Sequence, residues 1–295
     1  MNDAYQPVKP SRTARFEVRG LEYAVRFWGP ESAPPLMLLH GIRDTSATFQ
    51  FLVDALKHTW RIAAPDWRGH GYTQSAMQGY WFHDYLADLE VLVDTLFPDR
   101  NLALVGHSMG GNVAGVYAGL RPAKISHMIS IDGFGMLGPT PAEFRDRLSK
   151  WMRQGRKPLQ KRYETLEDMA RKLTAANLRL SWDKALFLAA SLSRPLKEGG
   201  FTWQFDVIDH RSMPTMHALE EWIACWRGIS APRLWVAAAD ARPGAVSSDL
   251  QAFAVVMQHI GEGCCVRIPQ TGHNVHHDRP NELAEIIERF VRGQR

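Results

Sequence analysis

A serine lies between two glycines in Gly106-His107-Ser108-Met109-Gly110, a spacing that equips a hydroxyl to act as a nucleophile when it falls between a strand and a helix. Both neighbours have the expected character. Residues 101–105 form a short apolar run, and residues 113–120 read as a helix that ends before Pro122. A sharp strand-to-helix turn crowds backbone around the serine, so the flanking positions must lack a Cβ, and it leaves Oγ exposed above the sheet edge. Gly111, Ala114, Gly115, Ala118 and Gly119 then supply a helix slim enough to pack closely on a sheet, with its positive end aimed at the serine.

Four segments carry a wider likeness: His40-Gly41, Asp66 to Gly71 (DWRGHG), Gly106 to Gly111 (GHSMGG) and Thr271 to Pro280 (TGHNVHHDRP). Together they resemble the α/β-hydrolase superfamily, in its serine-nucleophile branch of carboxylesterases and lipases. The resemblance implies an α/β fold, a mostly parallel sheet flanked by helices, with a helical lid inserted before the penultimate strand region. These motifs mark the superfamily rather than a substrate.

A serine hydroxyl is a weak nucleophile until a base takes its proton. His273 follows Gly272 in the loop before the last helix, where the resemblance places the catalytic histidine. His276 and His277 are its rivals, and their position ahead of Asp278 and Pro280 suggests helix entry and surface polarity instead. The histidine in turn needs a carboxylate to hold its tautomer. Asp240, just past the apolar run 233–238, is the preferred acid and gives the chain order Ser, Asp, His. Asp132, at the end of the strand before the lid, is the competitor. The backbone N–H groups of Ile42 and Met109 are expected to form the oxyanion hole, with their side chains as apolar walls.

Two other polar groups read as structural. Asp66 to Gly71 suits turn geometry and a local ion pair. Asp206, Asp209, His210 and Arg211 fit no hard-cation loop, because an arginine repels a metal. Cys225, Cys264 and Cys265 lack metal-ligand spacing and are expected as reduced thiols. Neither a metal nor a cofactor is called for, since acyl transfer is complete with side chains and water.

Positioning these residues falls to alternating short apolar runs and longer amphipathic stretches, the pattern of a mostly parallel sheet. Strands are expected at 21–28, 36–40, 60–65, 101–105, 125–131, 233–238 and 264–268, and helices at 47–57, 80–96, 113–120, 249–260 and 281–292. Residues 133–230 lose this rhythm and hold five of the ten tryptophans, among them Trp151, Trp182, Trp203, Trp222 and Trp226. The domain reading is a core of residues 1–132 and 231–295 and a helical cap of residues 133–230, with part of its aromatic stripe lining an apolar pocket.

The chain has 295 residues, 45% hydrophobic and 22% charged, enough to bury a core. Its net charge of +4 is too mild and dispersed for a nucleic-acid footprint. The first 19 residues have no apolar secretory region, and no later run is long enough for a membrane span, so a cytoplasmic protein acting on a small molecule is expected. The expected reaction is hydrolysis of a carboxylic ester of a small to medium apolar substrate. Two alternatives stand beside it: a carbon-carbon bond hydrolase of ring-cleavage products, and a hydrolase-like receptor with little turnover. The first is lowered by Arg43-Asp44-Thr45, which is not a glycine-rich oxyanion loop.

Overall fold

The structure, a computed structural model, describes residues 3–76, 80–135, 141–153, 161–206, 218–240 and 250–294. It begins with β1 (Arg12–Val18), β2 (Leu21–Trp28), β3 (Pro35–Leu39), α1 (Gln50–Ala55) and β4 (Arg61–Pro65). These are followed by α2 (Phe82–Leu96), β5 (Leu102–His107), α3 (Met109–Leu120) and β6 (Ile125–Ile131). A second stretch holds α4 (Pro141–Arg153), α5 (Leu166–Ala176), α6 (Trp182–Ser191), β7 (Ser193–Pro195), β8 (Phe201–Trp203) and α7 (Leu219–Arg227). The chain closes with β9 (Arg233–Ala238), α8 (Leu250–Ile260), β10 (Cys265–Ile268), α9 (Val275–Asp278) and α10 (Pro280–Val291).

Strand order in the eight-stranded sheet is β1-β2-β4-β3-β5-β6-β9-β10. From β4 to β10 all pairings are parallel, while β2 meets both β1 and β4 antiparallel. Parallel strands are covered on both faces, so their sequences are mostly apolar. In β3, Met37 and Leu39 join one core while Leu36 and Leu38 join the other, as a period of two requires. The first core includes Leu89 of α2, Val113 of α3 and Val256 of α8; the second includes Leu52 of α1 and Leu283 of α10. The chain leaves β3 toward β4 on one side and β5 on the other, and the crevice at such a switch point is where open α/β sheets bind ligands.

The sequence reading missed β1 and the ribbon of β7 and β8, and the expected helix at 47–57 is a 3-10 turn (Ser46–Phe49) leading into the short α1. The inserted stretch also divides differently in packing. Tyr163, Met169, Leu180, Ala185 and Leu188 form a separate small core against Phe51. Trp222, Ile223 and Trp226 of α7 instead belong to the main core. There α7 lies on α3, so close that a Cβ on Gly119 would come within 1.9 Å of the Cys225 carbonyl oxygen. Two of the five inserted tryptophans thus serve the sheet. Among the described residues no helix is long and apolar enough to cross a membrane.

The last helix is tied to the rest of the chain by one buried carboxylate. Glu288 accepts from the Lys57 and His58 backbone N–H groups at 3.0 and 2.8 Å and from Trp60 Nε1 at 3.0 Å. Although burial opposes ionisation, these donors hold its pKa below the ordinary glutamate value. The stability this brings is present above the unfolded pKa, about 4.3, and is lost as pH falls through the lower folded value. Glu288→Gln should therefore lose about 1–3 kcal/mol at neutral pH. Urea titrations at pH 7 and below pH 4 should show the gap between wild type and variant closing in acid.

Candidate active site

Ser108 is the first residue beyond β5 and stands at φ +52°, outside the region L-residues favour. That geometry is held by tight packing. A Cβ on Gly106 would lie 2.1 Å from the Gly110 carbonyl oxygen, and one on Gly110 would lie 2.1 Å from that of Leu39. The Ser108 N–H donates to Ile131 O at 2.8 Å, and the Asn112 N–H donates to Ser108 O at 3.0 Å. The turn expected at the serine is present.

Strand register explains which acid is at hand. Gly106 pairs with Ser130 and His107 with Ile131, so Ser108 and Asp132 emerge side by side at the carboxyl ends of β5 and β6. Asp132 has a positive φ of +48°. Its Oδ2 lies 2.6 Å from His273 Nδ1, and His273 Nε2 lies 2.9 Å from Ser108 Oγ. A carboxylate can only accept, so Nδ1 carries the proton and Nε2 is free to accept from the serine hydroxyl. The Asp132 side chain has no exposed surface, which shields this hydrogen bond from water.

Asp132, and not the expected Asp240, is the acid that meets His273. Ile131 pairs with Val236, so Asp132 sits level with Ala237, and Asp240 lies three residues farther along. Its backbone N–H donates to Thr271 O at 2.9 Å, but its carboxylate is 58% exposed and paired with Arg179. His276 and His277 also depart from expectation, since both are buried rather than surface residues.

The loop bearing His273 is shaped by Asp278, whose Oδ2 accepts from the Gly272 N–H at 2.8 Å. The His273 carbonyl oxygen accepts from His107 Nε2 at 2.8 Å. Sequence reasoning gave His107 no task. Its signal was a polar residue closing an otherwise apolar strand.

Ile42 lies half-buried in the turn after β3, and Met109 opens α3. The Ile42 turn is fixed by two more histidines. His40 Nδ1 donates to Gly41 O at 2.7 Å, and its Nε2 accepts from the Trp67 N–H at 2.9 Å. Trp67 Nε1 returns a bond to His40 O at 2.9 Å. Burial drives the His40 pKa down to about 3, which keeps the ring neutral and able to accept. His70 Nδ1 donates to Arg68 O at 3.0 Å, leaving Nε2 to accept from the N–H of Arg43, a residue at φ +58°. Residues 66–71 do more than turn the chain: they hold the loop that presents Ile42. The ion pair of Arg68 reaches outside the segment, to Asp88 of α2, at 2.6 Å through Nε.

That turn also fastens the inserted stretch. Gly71 N–H donates to Gln204 O at 2.8 Å, Asp206 N–H donates to Gly69 O at 2.7 Å, and the Asp206 carboxylate accepts from Tyr80. Asp209, His210 and Arg211 lie outside the described residues. Trp203 stacks on Phe205 with rings 6.2 Å apart, whereas Trp151 and Trp182 are exposed.

Such an arrangement of hydroxyl, imidazole and buried carboxylate can move a proton off a nucleophile and return it to a leaving group. Residues 34–280 match the family described as alpha/beta hydrolase fold, and the chain belongs to that family. It is 35% identical over 204 residues to a serine hydrolase-like protein of Danio rerio, a stretch covering 64% of this chain and 59% of that one. The chain thus spans about three fifths of that relative. Among solved structures it resembles a thioesterase domain from the curacin biosynthetic pathway (TM-score 0.81, 24% identity, 95% of this chain and 99% of that one). It also resembles an esterase of Mycobacterium tuberculosis (TM-score 0.75, 21% identity, 98% and 94% covered).

The crowding at the serine turn predicts an asymmetry between two glycines. Gly110→Ala should lower the melting temperature by several degrees, because its methyl must displace the Leu39 backbone at a cost of at least about 2 kcal/mol. Gly263→Ala, where nothing lies within 4 Å, should leave it nearly unchanged when both are followed by circular dichroism.

Proposed function

We propose that the protein is a serine hydrolase that cleaves a carboxylic ester of a small to medium apolar substrate through an acyl-enzyme. The observation that carries this reading is the continuous path from Ser108 Oγ through His273 to the buried Asp132, at 2.9 and 2.6 Å. Ser108 Oγ attacks the carbonyl carbon as His273 Nε2 takes its proton. The oxyanion accepts hydrogen bonds from the Met109 and Ile42 backbone N–H groups, worth roughly 3 kcal/mol of barrier for one donor at such sites. The imidazolium, stabilised by Asp132, protonates the departing alkoxide. Water then attacks the acyl-enzyme with His273 as base, and Ser108 is regenerated with release of the acid.

The inserted helices, with their own small core and their latch to residues 69–71, serve in this reading as a lid over the serine. The names of the M. tuberculosis esterase and the curacin thioesterase domain support acyl transfer as the reaction class.

A panel of p-nitrophenyl esters of increasing acyl length tests the assignment. Turnover should be highest on short to medium chains and abolished by Ser108→Ala. Asp132→Asn should lower kcat by about 10³–10⁴-fold. Asp240→Asn should stay within a few fold of wild type, since its carboxylate faces Arg179 and water. Equal losses in the two variants would refute the choice of Asp132.

A further inference from the structure

Beside the Ser108–His273–Asp132 path lies a group of three ligand-type side chains, of which His107 alone is hydrogen-bonded to that path, through the His273 carbonyl. Asp44 comes from the loop after β3, His107 from the end of β5 and His276 from α9. Each offers one ligand atom, and the three atoms lie within 4.8 Å of one another. All three residues are buried. His276 Nε2 is 3.9 Å from Asp44 Oδ2, and the rings of His107 and His276 are 4.5 Å apart.

Hydrogen bonding leaves these imidazoles with something to accept. His107 spends Nε2–H on the His273 carbonyl, which puts the lone pair on Nδ1. That Nδ1 and both nitrogens of His276 are buried without a hydrogen-bond partner. Leaving a buried polar atom unpaired costs about 1–3 kcal/mol, and the two lone pairs among these atoms, one on each ring, are placed to take a further partner. Asp44 is anchored, its Oδ1 accepting from the Thr45 N–H at 2.9 Å while Oδ2 faces His276.

We propose that Asp44, His107 and His276 form a binding site for one zinc-class divalent transition ion, separate from the Ser108–His273–Asp132 path. Two imidazole nitrogens and one carboxylate oxygen are a donor set suited to zinc and its first-row neighbours, with a fourth position for water, whereas calcium and magnesium prefer oxygen alone. Bonds of about 2.0–2.1 Å in a tetrahedron place ligand atoms roughly 3.4 Å apart, so the His276–Asp44 pair at 3.9 Å must close by about half an ångström, and the other pairs, all within 4.8 Å, by at most about 1.4 Å. The bond from His107 to the His273 carbonyl is the kind of outer contact that fixes a ligating histidine's tautomer. Asp44, with 11% of its side chain exposed, gives the ion its way in.

Cobalt provides a visible probe that does not depend on turnover. The full chain, stripped with chelator and dialysed against Co²⁺, should bind one ion with the absorption bands of a four- or five-coordinate site, and its melting temperature should rise with Co²⁺ concentration. Asp44→Asn and His276→Asn should each weaken Co²⁺ binding at least tenfold and remove the bands, while His83→Asn, at an exposed histidine, should leave them intact. Should His276→Asn fail to fold by circular dichroism, Asp44→Asn carries the comparison. Absence of Co²⁺ from the wild-type chain, with water alone as the buried partner, overturns the proposal. So does binding that survives both ligand substitutions.

Discussion

The site rests on the parallel register of β5 and β6. Because His107 pairs with Ile131, the next residue on each strand, Ser108 and Asp132, leaves the sheet at the same height. Both residues take positive φ, so each strand ends in a sharp reversal that turns its side chain toward the loop carrying His273. Strain of this kind persists only where surrounding structure over-determines it. Here the glycines at 106 and 110 and the hydrogen bonds from Ser108 N–H to Ile131 O and from Asp132 N–H to Val236 O supply that constraint.

Burial then sorts the histidines into different tasks. His40 and His70 are neutral struts that each donate through Nδ1 and accept through Nε2, and between them they set the turn containing Ile42. Burial holds the pKa of His107 and His276 well below the ordinary histidine value, aided by their neighbouring rings, and lowers that of His277 to about 3. Burial also lifts the Asp44 carboxyl to about 7. His273 differs in keeping 21% of its side chain exposed, on the path from Ser108 to Asp132. One sheet end thus holds a solvent-facing imidazole supported by others that are sealed from water.

Much of this was legible in the order of residues. The α/β sheet followed from apolar runs whose spacing suits strands covered on both faces, and Ser108 and His273 stood in motifs whose local context was sequential. The acid was not legible in the same way. Asp132 and Asp240 both follow apolar strands, and only the pairing of Ile131 with Val236 shows that one strand ends at the level of the serine while the other runs past it. The burial of His276 and His277 was hidden for a related reason, since the short α9 turns inward against Phe49 and Phe51, contacts far away in sequence. Likewise α7 looked like part of the insertion because its tryptophans are continuous with it, yet the small residues of α3 draw it onto the sheet.

The proposed reaction requires that Ser108 be activated by His273 and Asp132. Its most direct test is covalent capture: the intact chain is treated with a fluorophosphonate, digested, and mapped by mass spectrometry. One adduct per chain is expected, on the peptide containing Ser108. No adduct there, or labelling confined to another residue, would contradict it.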